Sequence, residues 1–322
     1  MINSPASVTV IIVNWNSGDL LAECIRHLNS QSVKPETILV IDNASSDGSV
    51  EKAEASGTLI TLRMKENLGF AAGNNRGLAE SKTEFVALLN ADAYAEPDWL
   101  ENLLSAARLH QGVSAFGSKQ LCQSNPDILD GVGDRYHISG LIWREGHGHA
   151  VKANDIIPRE IFSPCACAAL YRRQALLDIG GFDEDYFCYA EDVDLGFRLR
   201  LAGHKAMYVP DAVVHHVGSA TTGGQHSDFS VYHGHRNLVW TFVKNVPGML
   251  FWVLLPVHLL LNIVTVCFFI GLGQGRVICR AKLDAIKGLA TVWEKRKMIQ
   301  TNRVVGIRDI WRVLARTIIP RK

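Results

Sequence analysis

Phe85-Val86-Ala87-Leu88-Leu89-Asn90-Ala91-Asp92 is five apolar residues running into an Asn and an Asp. An uninterrupted apolar run of this length is what a central parallel strand, buried on both faces, requires. The polar residues that follow then stand where the strand ends. Two earlier segments repeat the pattern: Val8–Val13 runs into Asn14-Trp15-Asn16, and Thr37–Ile41 runs into Asp42-Asn43 and a Ser/Gly-rich turn. Apolar residues recur at helical spacing over Asp19–Ser30 (Leu20, Leu21, Cys24, Ile25 and Leu28). Further helices are expected around Ser49–Ser56 and over Gly73–Ser81, and a strand near Leu59–Arg63. This alternation predicts an α/β fold built on a doubly wound, mostly parallel sheet. Ligands of such sheets bind beyond the carboxyl ends of the strands, so Asn14, Asn16, Asp42, Asn43, Asn90 and Asp92 form a candidate rim.

The chain has 322 residues, room for one large α/β domain with an appendage or for two ordinary domains. With 48% hydrophobic and 20% charged residues it can bury a sizeable core, which argues against disorder. The net charge of +1 hides an asymmetry: the first hundred residues lean acidic, whereas Gln274–Lys322 carries thirteen Lys and Arg against Asp284, Glu294 and Asp309. That excess points to an anionic surface, phospholipid or a phosphorylated acceptor; no nucleic-acid partner is expected. Just before it, Met249–Leu272 is apolar except at Pro256, His258, Asn262, Thr265 and Gly271. As one helix it is long enough for a ~30 Å hydrocarbon core, and Pro256 leaves a membrane span, an interfacial segment and a core helix all open. Met1–Ser7 lacks the features of a signal peptide, and the seven scattered cysteines complete no zinc site, so reduced thiols in a cytosolic protein are expected. Gly112–Arg173 is rich in Gly and His and takes no clear assignment. A helix is expected over Glu191–Ala202.

Five segments could carry chemistry. Asn90-Ala91-Asp92 offers oxygens at a rigid strand end, suited to Mg²⁺ or Mn²⁺ on a diphosphate, or to a plain Asx turn. Tyr189–Asp194 sets Glu191, Asp192 and Asp194 within four residues, either as a proton acceptor facing a cation or as a helix cap with a surface Asp194–Arg198 ion pair. Asp42 is placed to accept from a pyrimidine imide, with Asp47 capping the next helix. Asn67–Gly77 supplies glycines for close backbone approach, and the N–H groups of the following helix could meet phosphate. His215-His216-Val217-Gly218-Ser219 and Tyr232–Asn237 could ligate metal or clamp phosphate through His216, His235 and Arg236. No G-x-G-x-x-G follows the first strand, which disfavours a dinucleotide-dependent oxidoreductase.

In this order and spacing, the five segments resemble family 2 of the glycosyltransferases, of GT-A fold, and its rhamnosyltransferase-like branch in particular, over about Val8–Pro247. The resemblance implies a catalytic domain over residues 1–240 and a helical, hydrophobic and basic membrane-associating region over 241–322. It implies that Asp42, with Asn14 and Asn16, reads the pyrimidine, and that Asn67, Gly69, Phe70, Asn75 and Asn90 shape the donor site. Asp92 and His216 would hold a divalent cation (Mg²⁺ or Mn²⁺), Asp192 beside Glu191 would be the base, and His235 and Arg236 would lie near the acceptor or diphosphate. Two positions depart from the pattern: Asn90 replaces the first acid of D-x-D, and Ala166 stands where a glycine is expected. The implied activity is inverting transfer from a nucleotide-sugar, dTDP-L-rhamnose first and UDP-sugars next. The acceptor would be a lipid-linked saccharide at the cytoplasmic face of the plasma membrane, in polysaccharide or O-antigen assembly. The rival that keeps the fold is an inactive nucleotide-sugar-binding scaffold or regulator at the membrane.

Overall fold

The computed structural model describes residues 7–218, 224 and 227–317. Met1–Ala6, Ser219, His226 and the end of the basic tail, including Arg321 and Lys322, therefore lie outside the described residues.

The first half alternates as expected: β1 (Val8–Asn14), α1 (Leu20–Asn29), β2 (Thr37–Asp42), α2 (Ser49–Glu54), β3 (Ile60–Arg63), α3 (Gly69–Glu80) and β4 (Phe85–Leu89). β1 pairs in parallel with β2 and β4, and β2 with β3, so these strands end at one edge. β4 is buried at every residue, as its apolar run demands. α3 begins at Gly69, four residues before the expected start, and Phe70 and Ala71 in that added turn pack against the same cluster as Leu78. Its glycines are needed for contact: a Cβ on Gly77 would lie 2.5 Å from Ile11 Cγ2, and one on Gly73 2.8 Å from Val13 Cγ1.

The middle of the chain is not loose. It holds β5 (Ala93–Ala95), α4 (Trp99–Leu109), β6 (Ala115–Cys122), β7 (Asn125–Gly131), β8 (Asp134–Tyr136), β9 (Ile142–Arg144), β10 (Arg159–Ile161), β11 (Ala168–Arg172) and α5 (Arg173–Asp178). α6 (Glu191–Leu201) and β12 (Ala206–His216) follow. The main sheet runs β10-β12-β6-β11-β4-β1-β2-β3, with β11 antiparallel to both its neighbours and β5 and β7 added at the side. The sheet is thus parallel at one end and mixed at the other.

The C-terminal part is helical: α7 (Asp228–Asn245), α8 (Gly248–Gly271), α9 (Gly275–Lys287), α10 (Leu289–Thr301) and α11 (Ile307–Val313). α7 crosses residue 240, and one hydrophobic cluster joins Tyr136, Phe162 and Phe197 to Trp240, Phe251, Val292 and Leu314. The helices are packed into the α/β body, and they cover α6. Asp194 and Arg198 do pair at 2.8 Å, but buried rather than at the surface, because α7 brings Lys244 Nζ within 2.8 Å of Asp194 and Asn245 Nδ2 within 2.7 Å. α8 is the opposite case. It has a mean hydropathy of 2.4 with only 17% of its apolar window buried, and Trp252, Leu260, Ile263 and Phe268 are exposed. A core helix would be covered, so that alternative falls away.

Candidate active site

A cleft of about 1540 Å³ opens beyond the carboxyl ends of β1 and β4. Trp15, Asn43, Asn67, Gly69 and Phe70 line it after β1, β2 and β3, Asn90, Asp92 and His216 at the ends of β4 and β12, and Asp134, Cys165, Ala166, Glu191 and Asp192 around β8 and α6.

Asn14 and Asp42 sit at the expected strand ends but do not line the cleft. Asn14 is fully buried, and its Nδ2 lies 2.9 Å from Asp42 Oδ1 and 3.0 Å from the hydroxyls of Ser45 and Ser49. Asp42 also accepts from Ser45 N. Asn16, at φ 48°, accepts from Ser46 N at 2.9 Å and donates its own N–H to Ser45 Oγ. The three therefore fix the 42–49 turn against β1, and Asn43, one residue on, reaches the cleft. Asp47 accepts from Ser49 N at the start of α2.

Asn67 and Gly69 shape the cleft through the backbone. Asn67 Oδ1 accepts from Gly69 N at 2.9 Å, and Gly69 has φ +84°. A Cβ there would also lie 2.5 Å from the Phe187 ring. The first turn of α3 is not left open for phosphate, since Ala71 N donates to Phe187 O at 3.1 Å. Asn75 is turned away from the cleft: its amide bridges Phe182 N, Phe182 O and Glu184.

The antiparallel pairing of His216 with Ala93 sets the end of β12 beside Asp92. His216 Nε2 lies 3.2 Å from Asp92 Oδ1 and 3.5 Å from Asn90 Nδ2. On its other side, Nδ1 lies 2.8 Å from Asp130 Oδ2, and Asp130 is in turn paired with Arg144. Burial opposes ionisation of Asp92, but the hydrogen bond and charge of His216 hold its pKa below the ordinary value. His215, on the opposite face of the strand, pairs with Glu96 instead. Burial opposes protonation of His216, but Cys167 and the two carboxylate neighbours raise its pKa well above the ordinary value. Asp92 and His216 therefore fit a divalent cation that displaces the ring proton; an oxygen and an imidazole nitrogen then converge on the cleft, with Asp130 orienting the ring from behind. Asp134, Cys165 and Asp192 also bring donor atoms within 4.8 Å of one another. Burial raises the Cys165 pKa well above the usual thiol value, and a protonated thiol suits Mg²⁺ or Mn²⁺ poorly.

Asp192 enters on a strained loop. Phe187, Tyr189 and Ala190 all have φ between 63° and 65°, a conformation that costs roughly 1 kcal/mol or more per non-glycine residue. Asn237 holds this loop, its Nδ2 lying within 3.0 Å of the carbonyls of Tyr186, Cys188 and Tyr189. Asp192 accepts from Val193 N at 2.8 Å and from Ala166 N at 3.2 Å. The backbone of the segment expected to carry a glycine thus orients this carboxylate. Burial raises the Asp192 pKa against those bonds, and burial with the Asp192 charge raises that of Glu191 well above normal. Glu191 Oε2 and Asp134 Oδ2 are buried without a hydrogen-bond partner. Asp134 and Asp130 were missed from sequence; the only available signal was two acids at short spacing in a segment with no periodicity.

His235 and Arg236 are not brought to the cleft. The His235 ring packs on Phe269 at 4.8 Å, and Arg236 donates to the carbonyls of Asp185 and Tyr186 while lying 4.3 Å over Trp240. α7 presents that face to α8 and α9 and to the 184–186 turn, so these side chains act on packing.

Known proteins resemble this chain in sequence and in fold. Residues 9–180 match the model of "Glycosyl transferase family 2". The N-acetylglucosaminyl-diphospho-decaprenol L-rhamnosyltransferase of Mycobacterium tuberculosis is 28% identical over 70% of this chain and 80% of its own length. A mannosyltransferase of Pyrobaculum calidifontis, solved with GDP-Man and Mn²⁺, superposes with a TM-score of 0.56 over 96% of this chain and 88% of its own, at 17% identity. GalNAc-T7, solved with UDP, GalNAc and Mn²⁺, superposes at 0.61 with 16% identity over 75% of this chain, which spans about half of that protein (48%). These neighbours share the GT-A fold. With the family match covering more than half its length, the chain belongs to glycosyl transferase family 2.

Proposed function

We propose that the protein is an inverting, cation-dependent transferase that moves L-rhamnose from dTDP-L-rhamnose to a hydroxyl of a lipid-linked saccharide. The observation that carries this reading is the meeting, in one cleft, of the Asp92–His216 pair with the half-buried carboxylate of Asp192. Trp15, Asn43, Asn67, Gly69 and Phe70 would enclose the donor. Asp192, aimed by the N–H groups of Ala166 and Val193, would take the proton of the acceptor hydroxyl as it attacks the anomeric carbon. A bound divalent cation held by Asp92 and His216 would neutralise charge on the departing nucleoside diphosphate. The identity to an L-rhamnosyltransferase named for a diphospho-decaprenol acceptor supports both sugar and acceptor class. The exposed apolar α8 and the basic residues after it support work at the cytoplasmic face of the plasma membrane.

The test is transfer of labelled sugar from dTDP-L-rhamnose, UDP-N-acetylglucosamine and GDP-mannose into the lipid extract of bacterial membranes, with and without EDTA. Rhamnose incorporation that stops with EDTA is expected. Incorporation from another donor alone, or none from a folded sample, would overturn the assignment.

A further inference from the structure

Two of the cleft's four arginines are already engaged. Arg135 grips Glu145 through two bonds of 2.7 and 2.6 Å, and Arg144 is paired with Asp130. The other two, Arg312 and Arg316, come from the very end of the described chain, which lines the cleft through Leu314, Ala315 and Thr317. Arg312 is 76% exposed, with Asp309 its nearest acid at 3.8 Å. Arg316 is exposed, lies 4.8 Å over the Trp311 ring, and has no carboxylate within 4 Å among the described residues.

The segment carrying them is anchored. Ala315 N donates to Tyr136 O at 2.9 Å, Ile138 N donates to Ala315 O at 3.0 Å, and Leu314 is buried in the cluster that joins the helices to the catalytic body. The same 137–141 loop touches α8 on its other side, where His258 Nδ1 lies 2.8 Å from Ser139 O. One loop therefore lies between the buried face of α8 and the strap that carries these two exposed guanidinium groups.

We propose that Arg312 and Arg316, on the C-terminal strap, form the binding site for the diphosphate of a lipid-linked acceptor, an inference that rests on the transferase reading above. Two residues along β8 from the strap's anchor at Tyr136, about 7 Å, is Asp134, whose carboxylate lies beside that of Asp192. A sugar ring whose hydroxyl faces Asp192 then carries its anomeric diphosphate toward the strap, and the lipid beyond it toward α8. Guanidinium groups free of other carboxylates suit this role, because their planar donors match phosphate oxygens.

The test uses the full chain in detergent with saturating dTDP and Mn²⁺, so that the donor's diphosphate site is filled. Farnesyl diphosphate and farnesol are titrated against wild type and the Arg312→Gln/Arg316→Gln double variant. Farnesyl diphosphate is expected to bind the variant about tenfold more weakly, the scale of two exposed charge pairs. Farnesol affinity and thermal stabilisation by dTDP are expected to stay unchanged, which also shows that the variant is folded. Equal affinity for farnesyl diphosphate would overturn the site. Lost binding to phosphatidylcholine–phosphatidylglycerol vesicles with farnesyl diphosphate binding intact would assign the arginines to the bilayer and overturn it too. If dTDP fails to stabilise wild type, the transferase reading itself fails, a result distinguishable from failure of the strap alone.

Discussion

The two walls of the cleft differ in the kind of polar group they bury. On the β1–β4 side, the polar strand ends satisfy one another: Asn14, Asp42, Ser45 and Ser49 form a closed network, and Asn67 caps Gly69. On the β8–α6 side, two acids, Glu191 and Asp134, keep buried oxygens without partners, and three non-glycine residues in a row of four hold positive φ, against Asn16 and Ala44 on the first side. Among the described residues of the first wall only the amide oxygen of Asn43 is buried without a partner, and a neutral network so nearly complete is a fixed mould. A wall with unpaired buried acids holds chemical potential for a proton, and strain of this kind clusters where the scaffold over-determines a reactive group. The first wall suits recognition of a donor, and the second suits chemistry on an acceptor.

The sharpest way to break that contrast is Asp192→Asn, which keeps shape and removes the proton acceptor. Transfer is expected to fall about 10²- to 10⁴-fold, the usual share of a general base, with nucleotide binding intact; sugar incorporation checks it. Next in size is Lys244→Met, which removes the buried cation that Asp194 and Asp183 share and leaves each with one basic partner, Arg198 and Lys295. A loss of up to about 3 kcal/mol in urea unfolding is expected, short of the full cost of a stranded buried charge because each acid keeps one cation. On the donor wall, Gly69→Ala adds a Cβ against Phe187 at positive φ. About 1–3 kcal/mol of stability should be lost, with a raised KM for donor, because the shift enters the mould itself.

Acidity separates the walls from the support behind them. Burial raises the Asp192 pKa, so its ionised form should disappear, and kcat/KM fall, as pH drops through a range above the usual carboxylate value. Asp183 and Asp194 shift the other way: burial opposes, but Lys244 above all holds both below normal. Their stabilisation is complete above the unfolded carboxylate range, near pH ~4, and is lost as pH falls through it. Activity should therefore decline at a pH where the melting temperature is still unchanged, which parallel pH profiles would show.

The donor wall was largely legible in the sequence because each of its strands is a continuous apolar run with a polar end. Such runs fix both burial and the edge where Asn90 and Asp92 emerge. What one chain cannot reveal is whether a polar end faces ligand or neighbour, and Asp42 and Asn75 turned inward for that reason. The other wall depends on short strands such as β8 and β9, which exist only through pairing, so Asp130 and Asp134 carried no periodic signal. α7 misled differently: it is covered on several sides, and spacing alone could not say that Arg236 faces the 184–186 turn rather than the cleft. The strap was invisible because its place depends on α8 to α11 folding back onto Tyr136.

The most direct test of the two-wall account is thermal stabilisation by dTDP with Mn²⁺, measured side by side on wild type, Asp92→Ala and Asp192→Asn. Binding to the native state raises the melting temperature by mass action, so no acceptor is needed. The account predicts a metal-dependent shift in wild type, its loss in Asp92→Ala and its retention in Asp192→Asn. A shift that survives in Asp92→Ala, or disappears in Asp192→Asn with the fold intact, would contradict it.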